Sequence, residues 1–331
     1  MKNIKLVFLK NKKKLYVSVP GILGLIFISI FLGGLIAELI VRECVFFPSD
    51  VAYMRFRSLP NFEIPESVID SDLFWKSSQE FRNVNYNADK KEGVFRLICL
   101  GDSVTQSHGL DGTPLLREQT YVYKLEKLLN ENWERPKFEL INAGVGGYSS
   151  LQGLRYLELR LLQFNPDLII SWFGINDDAS ALFFQDKEQH FYSDLKKKNV
   201  SLLDYSKLWF FLRNEFFADK IKRVSLEDFY ENSKTMLELA RKNKFKIAFV
   251  IPFRVKGNKI EYISGYKKAL EKLRNDHNCI LLDVGELLGK NGQIDKFFID
   301  GVHATEEGNE VIARIIFELI NNYKLASLTD G

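Results

Sequence analysis

Apolar positions along this chain follow two rhythms. Short runs that are apolar almost throughout occupy 94–100, Phe138 to Ala143, Asp167 to Phe173, Lys246 to Ile251 and Cys279 to Val284. Between them lie helical patterns, over Tyr121 to Asn132, Leu151 to Gln163, Leu226 to Lys242 and Ile263 to Asp276, and a last one runs from Glu306 to Tyr323. In that last stretch Val311, Ile312, Ile315, Ile316, Leu319 and Ile320 recur at helical spacing and form one apolar stripe. Strands that do not alternate with polar residues are buried on both faces. Strand and helix in alternation therefore predict a parallel sheet covered by helices on either side, an α/β fold.

Three segments fall outside that alternation. Leu15 to Ala37 carries no charge over 23 residues, long enough for a helix that crosses a bilayer. Pro20 and the glycines at 21, 24, 33 and 34 are costly in a soluble helix and tolerated in a membrane one. The run is longer than a signal peptide's apolar core, and Glu38, Arg42 and Glu43 follow it with no Ala-x-Ala cleavage pattern, so an uncleaved anchor is expected. Residues 42–92 hold Pro48, Pro60, Pro65 and many aromatics without period, an irregular or partly β lead-in. Residues 180–225, rich in Phe, Leu, Tyr and Trp mixed with lysine, are expected to be an insertion of short helices beside the functional edge of the sheet.

Charge changes the picture only at the N-terminus. The chain has 46 Lys and Arg against 43 Asp and Glu, a net of +3. Six of the lysines (2, 5, 10, 12, 13 and 14) precede the apolar run with no acid among them, and without them 40 basic residues face 43 acidic ones. The basic balance belongs to the tail, so nucleic acid is not an expected partner. The same lysines, against Arg42 alone close behind the run, place the N-terminus in the cytoplasm and the bulk of the chain on the other side. Cys44, Cys99 and Cys279 form no disulfide framework, and neither they nor the four histidines show metal-ligand spacing, so no metal or cofactor is expected.

The candidate chemistry sits where strands end. The first run breaks at Gly101-Asp102-Ser103, which puts a hydroxyl at the carboxyl edge of the sheet, where α/β folds bind ligands. Read alone, the tripeptide is equally a turn. A serine acts as nucleophile only with a base and an oxyanion pocket. The second run ends in Asn142-Ala143-Gly144-Val145-Gly146-Gly147, whose glycines either present amides to a ligand or turn the chain. The third ends in Gly174-Ile175-Asn176-Asp177, where Asn176 is an amide donor or a helix cap. Asp300-Gly301-Val302-His303 puts a carboxylate three residues ahead of an imidazole, the spacing of an acid that orients a base; surface and capping roles are the alternative. His108, five residues past Ser103, lines the same edge or is simply solvated or structural. His190 and His277 lie in a charged stretch and at a helix end.

Taken together and in this order, the four segments resemble the four blocks of the SGNH (GDSL-type) hydrolase family, over roughly residues 93–320. The resemblance implies a three-layer α/β/α, flavodoxin-like domain with a five-stranded parallel sheet in the order 2-1-3-4-5. It further implies Ser103 as nucleophile, His303 as base and Asp300 as its partner, with an oxyanion hole from the amides of Ser103 and Gly147 and the side chain of Asn176. Two departures stand out. Val104 replaces the Leu or Ile often found after Gly-Asp-Ser, and the sequence offers Gly146 beside Gly147 as the oxyanion glycine. Gly147, five residues after Asn142, matches the family spacing.

The expectation is a basic cytoplasmic tail over 1–14, a single membrane helix over 15–41, the lead-in over 42–92, and a hydrolase domain over 93–325 with its insertion at 180–225. The domain is expected outside the cytoplasm, periplasmic or at the cell surface, as a serine esterase cleaving carboxylic esters, O-acyl groups on surface carbohydrate among them. An O-acyltransferase acting on extracytoplasmic polysaccharide would use the same residues. A dead hydrolase fold serving as a tethered binding module is the reading of another class. In the sheet order the resemblance implies, two strands separate Cys99 from Cys279, which predicts reduced thiols.

Overall fold

A computed structural model of the chain describes residues 19–44, 69–70, 74–75, 81, 84–109, 115–181, 185–188, 208, 212 and 222–325. The basic tail, residues 15–18 of the expected span, most of the lead-in before 81 and most of the 180–225 insertion lie outside these residues. The chain divides into two compact units, one of residues 1–62 with 199–218, the other of 63–198 with 219–331.

In the first unit, helix α1 runs over Val19–Cys44, 26 residues. Its segment Pro20–Val41 has a mean hydropathy of 2.4, and Leu23, Phe27, Ile30, Phe31 and Leu39 are exposed. An exposed apolar surface all round suits lipid better than water, and about 33 Å of helix is enough to cross a hydrocarbon core. The helix is long and apolar enough to span a membrane.

The second unit is built on five parallel strands: β1 (Val94–Gly101), β2 (Lys137–Gly144), β3 (Leu168–Trp172), β4 (Lys246–Val250) and, further on, β7 (Ile280–Leu282). Their order is β2-β1-β3-β4-β7, the expected one. Every residue of β1 after Val94 is buried, because β1 is central and covered on both faces. Arg96 is the polar exception, and it donates to the Glu139 carboxylate and to the carbonyls of Phe164 and Ala88.

Helices α3 (Tyr121–Asn132), α7 (Val284–Gly289) and α8 (Glu306–Asn322) cover one face, packing on one another and on the sheet. Helices α4 (Ser150–Tyr156), α5 (Leu226–Lys242) and α6 (Ser264–His277) cover the other. Their starts follow from sequence: the hydroxyls of Thr120, Ser225 and Thr305 accept the first free amides of α3, α5 and α8. The stripe predicted on α8 is buried at Ile312, Ile315, Ile316, Leu319 and Ile320, each worth roughly 1.5–3 kcal/mol of transfer free energy.

Two features depart from the sequence pattern. The helix expected over Leu151 to Gln163 is regular only to Tyr156; a widened π turn covers Leu157–Leu161 and a tight one Leu162–Phe164, before Asn165 turns left-handed. A two-stranded antiparallel hairpin, β5 (Phe253–Lys256) with β6 (Lys259–Tyr262), also stands between β4 and α6. Near the start of the unit, Phe81 packs edge-on against Phe164 and the Tyr86 hydroxyl donates to the Leu140 carbonyl.

Candidate active site

The register of the sheet brings three strand ends level: Gly101 pairs with Gly144 on one side and with Trp172 on the other. The loops that follow β1, β2 and β3 therefore leave the same edge side by side. After β1 the chain turns at once into the short helix α2 (Ser103–Gln106), with Asp102 accepting the Val104 amide as its N-cap. A methyl group at Gly144 would lie 2.2 Å from the Gln106 nitrogen, so only glycine lets α2 press against the end of β2. That contact holds Ser103, half-buried, at the mouth of the edge.

The fourth loop arrives from the far end of the chain. The Val255 amide of β5 donates to the Gly301 carbonyl at 2.7 Å, pinning the Asp300-to-His303 turn to the hairpin. His303 then faces the serine: Nε2 lies 2.8 Å from Ser103 Oγ and Nδ1 lies 2.7 Å from Asp300 Oδ2. The carboxylate beside Nδ1 makes that nitrogen the N–H, which leaves Nε2 to accept from the serine hydroxyl. The second Asp300 oxygen accepts the amides of Val302 and His303 at 2.9 and 2.8 Å, fixing the carboxylate's plane. Burial raises the Asp300 carboxyl, but the His303 amide and ring and the Val302 amide outweigh it and hold the group below its ordinary value. Asp300 stays ionised beside its imidazole. Capping of α8 falls to Thr305 and not to either of these residues.

On the other side of Ser103, Tyr148 N–H closes a turn onto the Val145 carbonyl at 3.1 Å, with Gly147 left-handed at φ +79°. That conformation needs glycine. The two neighbouring glycines are not equivalent. Gly146 N–H is taken by Gln106 Oε1 at 2.7 Å, whereas no group among the described residues takes up the amide of Gly147 or of Ser103.

Asn176 is buried, and both hydrogens of its side-chain amide are engaged, with Asp102 Oδ2 at 3.2 Å and the Tyr148 carbonyl at 3.0 Å. It caps no helix; it ties the loop after β3 to the other two. Donation to a ligand would exchange one of these bonds. Asp102 is fully buried, and burial pushes its carboxyl up to about 7 against the pull of the Val104 amide and the His303 charge.

Several residues here were not singled out in the sequence. Asp177, next to Asn176, accepts from the Ser150 amide and hydroxyl and from the Gly174 amide, and burial pushes it up to about 6. Gln106, one turn on from Ser103, binds both Gly146 and His108. His108, which the sequence did single out, as lining this edge or else solvated or structural, lies at the edge with its ring parallel to that of His303, centroids 5.9 Å apart. Arg223 donates to the Gly147 carbonyl. Among the described residues no three His, Cys, Asp or Glu side chains gather as a metal site.

A hydroxyl, an imidazole and a carboxylate in one hydrogen-bonded line, beside amides at a strand end, can carry out acyl transfer. A family model for GDSL-like lipases and acylhydrolases matches residues 99–311. The chain belongs to the GDSL-like lipase/acylhydrolase family. No curated protein matches the chain. Solved structures similar to it include a lipase/acylhydrolase from Enterococcus faecalis, 19% identical, covering 69% of this chain and 96% of that one at a TM-score of 0.48. Another is a variant of an acetyl xylan esterase from Geobacillus stearothermophilus, 18% identical, covering 68% and 94% at 0.46. The GDSL-like match begins at Cys99 on β1 and ends at Val311 on α8, so it takes in all four loops of the edge.

Proposed function

We propose that this acylhydrolase is a membrane-anchored serine esterase whose nucleophile is Ser103. The observation that carries the reading is the line of hydrogen bonds from Ser103 Oγ through His303 to Asp300, closed between residues 200 positions apart. Ser103 Oγ attacks the ester carbonyl while His303 Nε2 takes its proton, and Asp300 stabilises the imidazolium that results. The charge on the carbonyl oxygen develops toward the amides of Ser103 and Gly147, with Asn176 as third donor once one of its present bonds is released. The engaged amide of Gly146 favours Gly147 for that part. His303 returns the proton to the leaving alcohol, and water repeats the sequence on the acyl-enzyme.

The apolar helix α1 is the anchor in this reading. The lysine-rich tail puts the N-terminus in the cytoplasm and the esterase outside it. The test is hydrolysis of a short-chain nitrophenyl ester by the detergent-solubilised full chain. Ser103→Ala is expected to abolish it, and an unchanged rate would refute the reading. Repeating the assay with a carbohydrate acceptor separates water from a sugar hydroxyl as the group that takes the acyl.

A further inference from the structure

Arg223 lies at the end of the 180–225 segment, far in sequence from every motif of the site, yet it is 4% exposed. A buried guanidinium needs a counter-charge, and Asp186, 2% exposed, supplies it through both oxygens, at 3.1 Å from Nε and 2.8 Å from Nη2. The guanidinium also reaches the loop after β2 and the helix that follows it. Nη1 reaches the Gly147 carbonyl at 2.8 Å, and Nη2 also reaches Gln152 Oε1 at 3.0 Å. The Arg223 main chain meanwhile grips the loop after β3, its amide donating to the Ala179 carbonyl at 2.8 Å, and the next amide, of Val224, to Asp177 at 3.2 Å.

We infer that Arg223 is a positioning residue for the oxyanion amide of Gly147, and this rests on the esterase reading above. The peptide joining Gly146 to Gly147 has no side chain on either flank, so turning it over meets little steric resistance. Turned over, it would carry the Gly147 N–H away from the serine. The peptides on either side of it are held: Gln106 takes the Gly146 amide in the one before, and Arg223 donates to the Gly147 carbonyl in the one after, so the backbone that carries the Gly147 N–H is anchored at both ends. The planar fork is what makes this possible, because two of its donors are fixed by Asp186 while a third is aimed. A lysine keeps the charge but cannot hold both partners at these angles.

The test uses the detergent-solubilised full chain and four proteins: wild type, Arg223→Lys, the double variant Arg223→Met with Asp186→Asn, and Leu129→Ala. The double variant removes the buried pair as a unit and leaves no orphaned charge. Leu129→Ala, fully buried in α3, is a control for stability alone. Both Arg223 variants are expected to lower kcat for the nitrophenyl ester roughly 10- to 100-fold with KM within about twofold, as for partial loss of an oxyanion donor. Their affinity for a boronic acid, whose tetrahedral adduct places an oxygen in the same hole, should fall by the same factor, while Leu129→Ala lowers Tm and leaves kcat unchanged. Either Arg223 variant can carry the comparison if the other does not fold. A kcat within twofold of wild type overturns the inference. So does a loss that tracks Tm equally in Leu129→Ala, or a failure of both Arg223 variants to fold. A wild-type protein that neither turns over the ester nor binds the boronate refutes the esterase reading instead.

Discussion

The ring of His108 lies nearly parallel to that of His303, centroids 5.9 Å apart and planes 10° from parallel. Gln106 Oε1 already accepts from Gly146, so the His108 Nε2 that meets it at 2.6 Å is the donor, which fixes that ring's tautomer and tilt. The second imidazole thus forms a wall against which the first is held. Such a ring contact is worth about 0.5–1.5 kcal/mol. His108→Ala is therefore expected to slow ester hydrolysis by roughly 3- to 10-fold, a factor that follows from about 1.4 kcal/mol per decade, and to leave Ser103 reactive. Steady-state kinetics of the full chain decide it. An inactive His108→Ala would mean that this ring itself handles a proton.

Asp177 gives the folded state a pH dependence. Burial raises its carboxyl from 3.8 to about 6 despite the Ser150 bonds and the Arg223 charge. A carboxyl that holds its proton more tightly when folded stabilises the fold fully below its unfolded value, and this contribution is lost as pH rises through about 6. Relative to Asp177→Asn, the wild-type protein should lose on the order of 1–3 kcal/mol between about pH 4 and pH 7. Tm of both proteins across that range is the measurement, and parallel curves would refute it.

Much of this was legible from the sequence, for physical reasons that differ by element. The buried strands and the apolar stripe of α8 follow from periodicity, and α5 begins at Leu226 because Ser225 caps it. The β5–β6 hairpin escaped because four-residue strands carry too little pattern, although Gly257-Asn258 is a plain turn signal. The four loops of the edge were visible as turn residues bearing chemistry, each ambiguous alone. Arg223 left no trace, since its role is set by where residue 147 lies in space and by no local spacing. His108 was noticed but its partner was not, because 195 residues separate it from His303.

The cysteines test the sheet order independently. Cys99 is on β1 and Cys279 adjoins β7, with β3 and β4 between them. At about 4.8 Å per strand the two lie on the order of 14 Å apart, twice the reach of a disulfide. Both are buried and free, and burial pushes their thiols up to about 12 and about 11. Alkylation followed by peptide mapping should find neither modified in the native protein and both modified after unfolding without reductant. Absence of both from the unfolded map would mean they are bridged.

The anchoring and orientation proposed for α1 are checked on membranes. With the lysine tail inside, protease added to the outside of intact cells should digest the domain and spare the tail. Protection of the domain would reverse the orientation, and a mature N-terminus beyond residue 37 would show that the apolar segment is removed.

The central claim is that Ser103 is the nucleophile, made reactive by His303 at 2.8 Å. A fluorophosphonate reacts with a serine only where a base and an oxyanion site act on it together. The most direct measurement is mass-spectrometric mapping of the adduct on the full chain, wild type and His303→Ala. The account predicts one phosphonylated peptide, with the modification on Ser103, and its near-absence from His303→Ala. Modification at another residue, or equal labelling of Ser103 in the two proteins, would contradict it.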